Sequence, residues 1–249
     1  MVKKFVVTID GPSGSGKSTV SKELGLALNW FVLESGALYR AVAFMLSEQK
    51  KFLDLIKREP TTNQELVSLC KPIVEKIKFE KMGDGKTEIF VNGEPVSKYM
   101  RTPKVSEIAS IIARNPGIRE ILLPVQREVA EKERHLIAEG RDMGTCVFPD
   151  ADLKFFLTAT LEVRARRRMK ELTDLGIECE YSEVLKQMIA RDERDEKREV
   201  SPLKPAQDAI LIDTSEMSIR QVVTELLDII TPRIVDEQEY QLYETRFRN

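Results

Sequence analysis

The chain has 249 residues, enough for one sizeable α/β core or for a core that carries an insertion. Lys and Arg total 39 against 41 Asp and Glu, a formal net charge of −2, so any basic site must be local, and no global attraction to nucleic acid or to an anionic membrane is expected. Three widely spaced cysteines (Cys70, Cys146, Cys179) argue against a disulfide framework or a zinc site and fit a reducing cytosol, and a single histidine, His135, excludes any multi-histidine metal cluster.

The longest apolar stretches are too short to span a bilayer, and the chain enters a strand almost at once with no signal-peptide pattern, so a cytoplasmic location is expected. The run Phe5-Val6-Val7-Thr8-Ile9 predicts a buried strand over 4–9. Directly behind it stands Gly11-Pro12-Ser13-Gly14-Ser15-Gly16-Lys17-Ser18, the spacing G-x-x-x-x-G-K-[ST], followed by Thr19 and a helical pattern over 17–28. Glycines at 11, 14 and 16 let the backbone curl so that successive N–H groups face one anionic centre. The helix start adds free N–H groups and a positive dipole end. Lys17 supplies a mobile cation for β- and γ-phosphates, and Ser18 can hold a magnesium ion. Strand, glycine loop and helix together mark a nucleoside triphosphate site.

Strand 30–33 and helix 36–48 come next; later come strands 135–139 and 153–158, helices 161–175 and 182–199, strand 210–213 and helix 218–231. This alternation implies a parallel sheet covered on both faces. His135 opens an apolar strand and reads as structural. The middle breaks the rhythm. Residues 63–74 look helical, with Asn63 as cap, and Lys76–Phe79 and Glu88–Val91 alternate around Met82-Gly83-Asp84-Gly85 as a hairpin. Asn92-Gly93 turns the chain into Glu94-Pro95-Val96. Thr102-Pro103 and Asn115-Pro116 each cap and start a helix, the second running to about Lys132. Residues 61–108 are read as an inserted subdomain within a core of 1–60 and 109–232, with a lid at about 160–200. The polar tail, 233–249, is either an extra helix or without fixed structure, and it receives no chemistry.

A kinase for a small molecule needs a second anion site facing the first. Glu34-Ser35-Gly36-Ala37-Leu38-Tyr39-Arg40 and Glu139-Gly140-Arg141-Asp142-Met143-Gly144-Thr145 each follow a strand, at the end where α/β sheets bind ligands. Arg40 and Arg141 offer planar forks for phosphate, and Asp142 can accept from an amine. Arg164, Arg166, Arg167 and Arg168 lie on one predicted helix and Ala190–Arg198 on the next. Such clusters are ordinarily solvated helix faces; the functional reading is a mobile lid that swings arginines over the phosphates. An acceptor phosphate is already ionised at neutral pH, so no catalytic base is required.

These segments together resemble the bacterial cytidylate kinases, members of the P-loop nucleoside monophosphate kinases. The resemblance runs from about Phe5 to Pro232 and rests on Ile9 through Thr19, on Ser35-Gly36-Ala37-Leu38-Tyr39-Arg40, on Gly140 through Thr145 with Val147-Phe148-Pro149-Asp150-Ala151, and on Arg191-Asp192, Arg194-Asp195 and Arg198. It implies a three-layer P-loop fold with a five-stranded parallel sheet, a small inserted monophosphate-binding subdomain and a helical lid. It implies transfer of the γ-phosphoryl of ATP to CMP or dCMP with magnesium. By resemblance, residues 11–19 hold ATP, with Ser18 as the metal ligand. Ser35 belongs to the acceptor site, Arg40, Arg141 and Arg198 grip the acceptor phosphate, Ser110, Arg119 and Asp142 read cytosine, and Arg191 and Asp195 contact the sugar; Lys17, Arg141, Arg191 and Arg198 form the catalytic set.

The sequence departs from the family pattern at Ser18 (glycine in many relatives), at Glu34 and Glu139 (usually aspartate, with a possible magnesium role) and at Gly117 (usually larger). Partners are expected to be CMP, dCMP and ATP, with no nucleic acid or membrane, in a monomer. The alternatives are another P-loop kinase acting on UMP, AMP or shikimate, and a nucleotide-binding switch.

Overall fold

Val7 and Ile9 have no exposed surface because β1 (Phe5–Asp10) lies in the middle of a five-stranded parallel sheet. The strand order is β2 (Phe31–Glu34), β6 (His135–Gly140), β1, β7 (Leu153–Thr158), β8 (Ile210–Asp213). In register, Asp10 stands opposite Gly140 on one side and Phe156 on the other. Every neighbour pair is parallel, so all the strands end at one edge, where α/β sheets place their ligands. The computed structural model describes residues 4–57, 64–84 and 86–234.

Both faces of the sheet are covered, as its all-apolar strands require. On one face α1 (Lys17–Leu28) and α9 (Ile219–Ile234) pack Val20, Leu24, Leu226 and Ile230 against Val7, Ile9 and Phe155. On the other, Val129 and Ala130 of α6 (Pro116–Lys132), with Met143 and Val147 of a wide π-type turn over 143–147, meet Leu33, Leu136 and Ala138. A third core joins α2 (Ser35–Leu46), α3 (Lys50–Ile56), α4 (Gln64–Val74), a three-stranded antiparallel sheet and α5 (Pro103–Ile112). That small sheet comprises β3 (Ile77–Lys81), β4 (Thr87–Val91) and β5 (Glu94–Pro95). Last, α7 (Leu161–Asp174) and α8 (Tyr181–Glu196) share only a minor cluster of Ala165, Leu172, Val184 and Met188. So small a core leaves the helix pair dependent on polar contacts with the rest of the fold.

The sequence-based elements sit within a few residues of the observed ones. Both predicted caps form: the Thr102 hydroxyl accepts from the Val105 amide at 3.2 Å, and the Asn115 side chain accepts from the Ile118 amide at 3.1 Å. The expected cap Asn63 and the start of the insertion lie outside the described residues, as does the tail beyond Ile234. Helix α3 has no counterpart in the sequence reading; seven residues give too little period to detect, yet Phe52 is fully buried. Helix α9 runs through Pro232, where the sequence predicts a stop. There the Thr231 hydroxyl and the Arg233 guanidinium donate to the carbonyls of Leu227 and Ile229 and hold the last turn. The small residue at Gly117 has a packing reason: a Cβ there would come within 2.7 Å of Val67 on α4. No helix among the described residues is long and apolar enough to cross a membrane.

Candidate active site

The loop after β1 is shaped by close approach. Gly14 (φ +77°) lies against the backbone of α7, where a Cβ would come within 2.8 Å of the Arg164 carbonyl oxygen. A Cβ on Gly11 would meet the Leu157 carbonyl at 2.1 Å. The glycines therefore seat the loop between β7 and α7 as well as freeing its amides. Lys17 opens α1 and folds back so that Nζ donates to the Pro12 carbonyl at 2.9 Å. Burial, then the charges of Arg141 and Arg191, drive its ammonium well below the ordinary lysine value, against the opposing pull of Glu139 and Asp195. The Ser18 hydroxyl donates to Glu139 at 3.0 Å, while the second carboxylate oxygen of Glu139 is buried without a partner. The Ser15 carbonyl accepts from the Thr214 hydroxyl at 3.1 Å, tying the loop to the segment after β8.

A cleft of about 530 Å³ opens from this loop across the sheet edge to α5 and α6. Of residues 11–19, expected together at the ATP site, Ser13, Gly14, Gly16, Lys17, Ser18 and Thr19 line it, whereas Gly11, Pro12 and Ser15 do not. Every expected acceptor residue lines the same cleft: Ser35, Arg40, Ser110, Arg119, Arg141, Asp142, Arg191, Asp195 and Arg198. Ten basic and six acidic side chains face it, so a near-neutral chain concentrates positive field where anions would bind.

On the far wall Arg119 of α6 and Asp142, the residue after Arg141, form a buried ion pair. The Ser110 hydroxyl on α5 is buried and has no partner. Tyr39 packs its ring 5.8 Å from the Arg119 guanidinium, and burial pushes its hydroxyl up to about 12. Ser35 donates its hydroxyl to Gln126 at 2.9 Å. Arg40 lies over Gly36, where even a Cβ would come within 3.3 Å of its guanidinium, and burial lowers its pKa.

Asp195 organises the third side. Arg141 Nε donates to its carboxylate at 2.9 Å, Arg191 lies 4.0 Å away, and Arg198 Nε donates to its backbone carbonyl at 3.3 Å. Burial pushes the Asp195 carboxyl up, but Arg141, Arg191 and Arg198 outweigh it and hold it below the usual range. Burial and Arg141 bring Arg191 down to about 10. Helix α8 ends at Glu196, so Arg198 stands two residues past it and not on the helix as expected; Asp195 and Arg198 are buried and Arg191 is half-buried, and the three form a charge network lining the cleft instead of a fully solvated face.

The α7 arginines divide. Arg164 is turned into the fold, donating to the carbonyls of Ala159 and Ser13 at 3.0 and 3.3 Å and pairing with Asp192 at 2.6 Å. Arg167 is tied to the Thr214 hydroxyl at 2.9 Å. These two anchor α7 to the phosphate loop and the β8 end, and Arg167 also lines the cleft, as does Arg168 beside Glu171. Glu34 pairs with Lys22 at 2.9 Å, so Glu139 is the carboxylate beside Ser18. His135 stacks on Trp30 at 4.8 Å, at the opposite end of β6, as a structural residue does. The sequence reading missed Tyr39, Arg101 and Ser106 as lining residues and Asp10 and Thr214 as supports. Position beside a motif is the signal that could have found Asp10, which precedes Gly11, and Arg101, which precedes the capping Thr102.

A phosphate loop facing a basic pocket across one cleft defines a P-loop kinase. The cytidylate kinase family model matches residues 7–232, and the chain belongs to that family. It is 44% identical over 224 residues to a cytidylate kinase of Thermodesulfovibrio yellowstonii, covering 90% of this chain and 96% of the relative. It is 46% identical over 233 residues to one from Pseudomonas savastanoi pv. phaseolicola, covering 93% and 97%. A shikimate kinase structure from Acinetobacter baumannii aligns with TM-score 0.45 and 14% identity over 94% of this chain and 97% of that one, a likeness without bearing on the acceptor.

Proposed function

We propose that the chain transfers the γ-phosphoryl group of ATP to CMP or dCMP, giving ADP and CDP or dCDP. The carrying observation is the single cleft that puts Lys17 and the glycine loop at one end and the Arg119–Asp142 pair with the unpartnered Ser110 hydroxyl at the other. Cytosine presents an amine beside ring acceptors; Asp142 accepts from the amine, and Arg119 and Ser110 donate to the acceptors. Uracil reverses the polarity at that edge and would leave Asp142 badly paired. Arg40, Arg141 and Arg198 hold the acceptor phosphate, and Arg191 and Asp195 hold the sugar. Lys17 follows the charge that moves between the two phosphates, and positioning by arginines does most of the work in such a transfer.

Magnesium fits the donor end: Ser18 and the unpartnered buried oxygen of Glu139 would hold it, where it neutralises phosphate charge. Residues 61–108 and the α7–α8 pair are the parts we assign to closure around the nucleotides, which excludes water from the γ-phosphate. The protein acts as a monomer in the cytoplasm on this reading. ADP release from ATP and magnesium, measured with CMP, dCMP, UMP, AMP, GMP and shikimate singly, tests it. Strong release with CMP or dCMP is expected; release only with another acceptor discards the Ser110, Arg119 and Asp142 assignment.

A further inference from the structure

Asp10 is the last residue of β1, adjacent to Gly11, and only 4% of its surface is exposed. It does not line the cleft. Its two carboxylate oxygens accept from the backbone amides of Met143 and Gly144, at 2.9 and 2.8 Å. Those amides begin the π-type turn that follows Asp142. The first amides of any helical turn lack partners within the turn, and here the buried carboxylate of a neighbouring strand supplies them. Burial pushes the Asp10 carboxyl up to about 7 against the pull of the two amides, so above that pH the bonds are charge-assisted and fix direction as well as distance.

The turn is also pressed flat on β1. A Cβ on Gly144 would come within 2.8 Å of the Thr8 hydroxyl and 3.1 Å of Lys154. Met143 is fully buried. Arg141 and Asp142, which belong to the acceptor half of the cleft, are therefore attached to a turn that the strand of the donor half holds in place.

We propose that Asp10 is a positioning residue for the acceptor: through the amides of Met143 and Gly144 it sets where Asp142 and Arg141 stand, while touching neither nucleotide. The inference rests on the acceptor reading given above. Its consequence is that the two substrates respond differently to a change at Asp10. Although Asp10 is next to the ATP loop in sequence, its bonds run to the CMP side. Shifts of about 1 Å in such positions can reduce rates about a hundredfold.

The test is steady-state kinetics of Asp10→Asn, which keeps the shape but turns one acceptor into a donor facing an amide. KM for CMP is expected to rise at least tenfold, with KM for ATP within twofold of the parent. Gly144→Ala, which lifts the turn off β1 from the other side, is expected to give the same split, and the double variant less than the product of the two effects. A folded Asp10→Asn enzyme whose CMP KM moves less than threefold overturns the proposal. So does a parallel loss of both substrates, which would assign Asp10 to the ATP loop. Should Asp10→Asn fail to fold, the same criteria applied to Gly144→Ala decide. Failure of the underlying reading shows separately, as a parent enzyme with no CMP-dependent ADP release.

Discussion

Arg119 and Asp142 join α6 to the turn after β6 through an ion pair whose side chains keep only 9% and 5% of their surface. Desolvation makes such a pair a poor source of stability compared with apolar residues of equal volume. Its place on the wall of the cleft that the unpartnered Ser110 hydroxyl also lines is what the proposed recognition role rests on.

Asp142→Ala should therefore show two separable losses. Leaving Arg119 buried and unpaired is expected to lower stability by about 3–5 kcal/mol, read by urea unfolding. CMP use should fall far more than ATP affinity. Replacing both partners by apolar residues, Arg119→Met with Asp142→Leu, should restore most of the stability and none of the CMP use. Recovery of CMP turnover in that pair would remove the base-reading role.

Glu139→Gln probes the donor end. The variant keeps an acceptor for the Ser18 hydroxyl but removes the charge from the buried unpartnered oxygen. The magnesium concentration for half-maximal rate is expected to rise about tenfold, the low end for lost support around a metal. An unchanged magnesium titration would place the ion elsewhere.

Arg198→Ala separates a working cation from a structural one. Arg198 is held by the Asp195 carbonyl, and one of its terminal nitrogens is buried without a partner beside the cleft. A group aimed at developing charge contributes about 10²–10³ in rate. Turnover or acceptor affinity should fall by that order; a variant matching the parent in both would return Arg198 to a support for α8.

Much of this was legible in the residues. The phosphate loop announces itself because glycine spacing, Lys17 and flanking periodicities all demand one backbone path. The caps at Thr102 and Asn115 are local chemistry, and local chemistry reads from sequence. What did not read is long-range. Arg164 looks like Arg168 in sequence, yet Asp192 and the Ser13 carbonyl, brought together only by folding, make one an anchor and leave the other on the cleft. Asp10 is an ordinary strand-end residue until Met143 and Gly144 arrive from 133 and 134 positions away. Asp195 and Arg198 likewise match a solvated face by composition and are buried only because folding brings Arg141 onto the Asp195 carboxylate.

Lys17 carries the last prediction, because its charge state depends on what occupies the cleft. Burial first, and then Arg141 and Arg191, disfavour its ammonium in the free protein, and the lysine pKa lies well below 10.5. The phosphates of ATP add negative charge beside it and favour the ammonium again. Binding should then raise the pKa and draw protons from solution at pH above the free-protein value. Calorimetric ATP titrations at one alkaline pH, in buffers of different ionisation enthalpy, should show net proton uptake by the parent. Lys17→Ala should lose that uptake, reduce turnover by about 10²–10⁴, and keep or raise the melting temperature, since it removes a buried cation. A buffer-independent binding enthalpy in the parent would show that Lys17 is already charged before ATP arrives. Full turnover in the alanine variant would remove Lys17 from the transfer step.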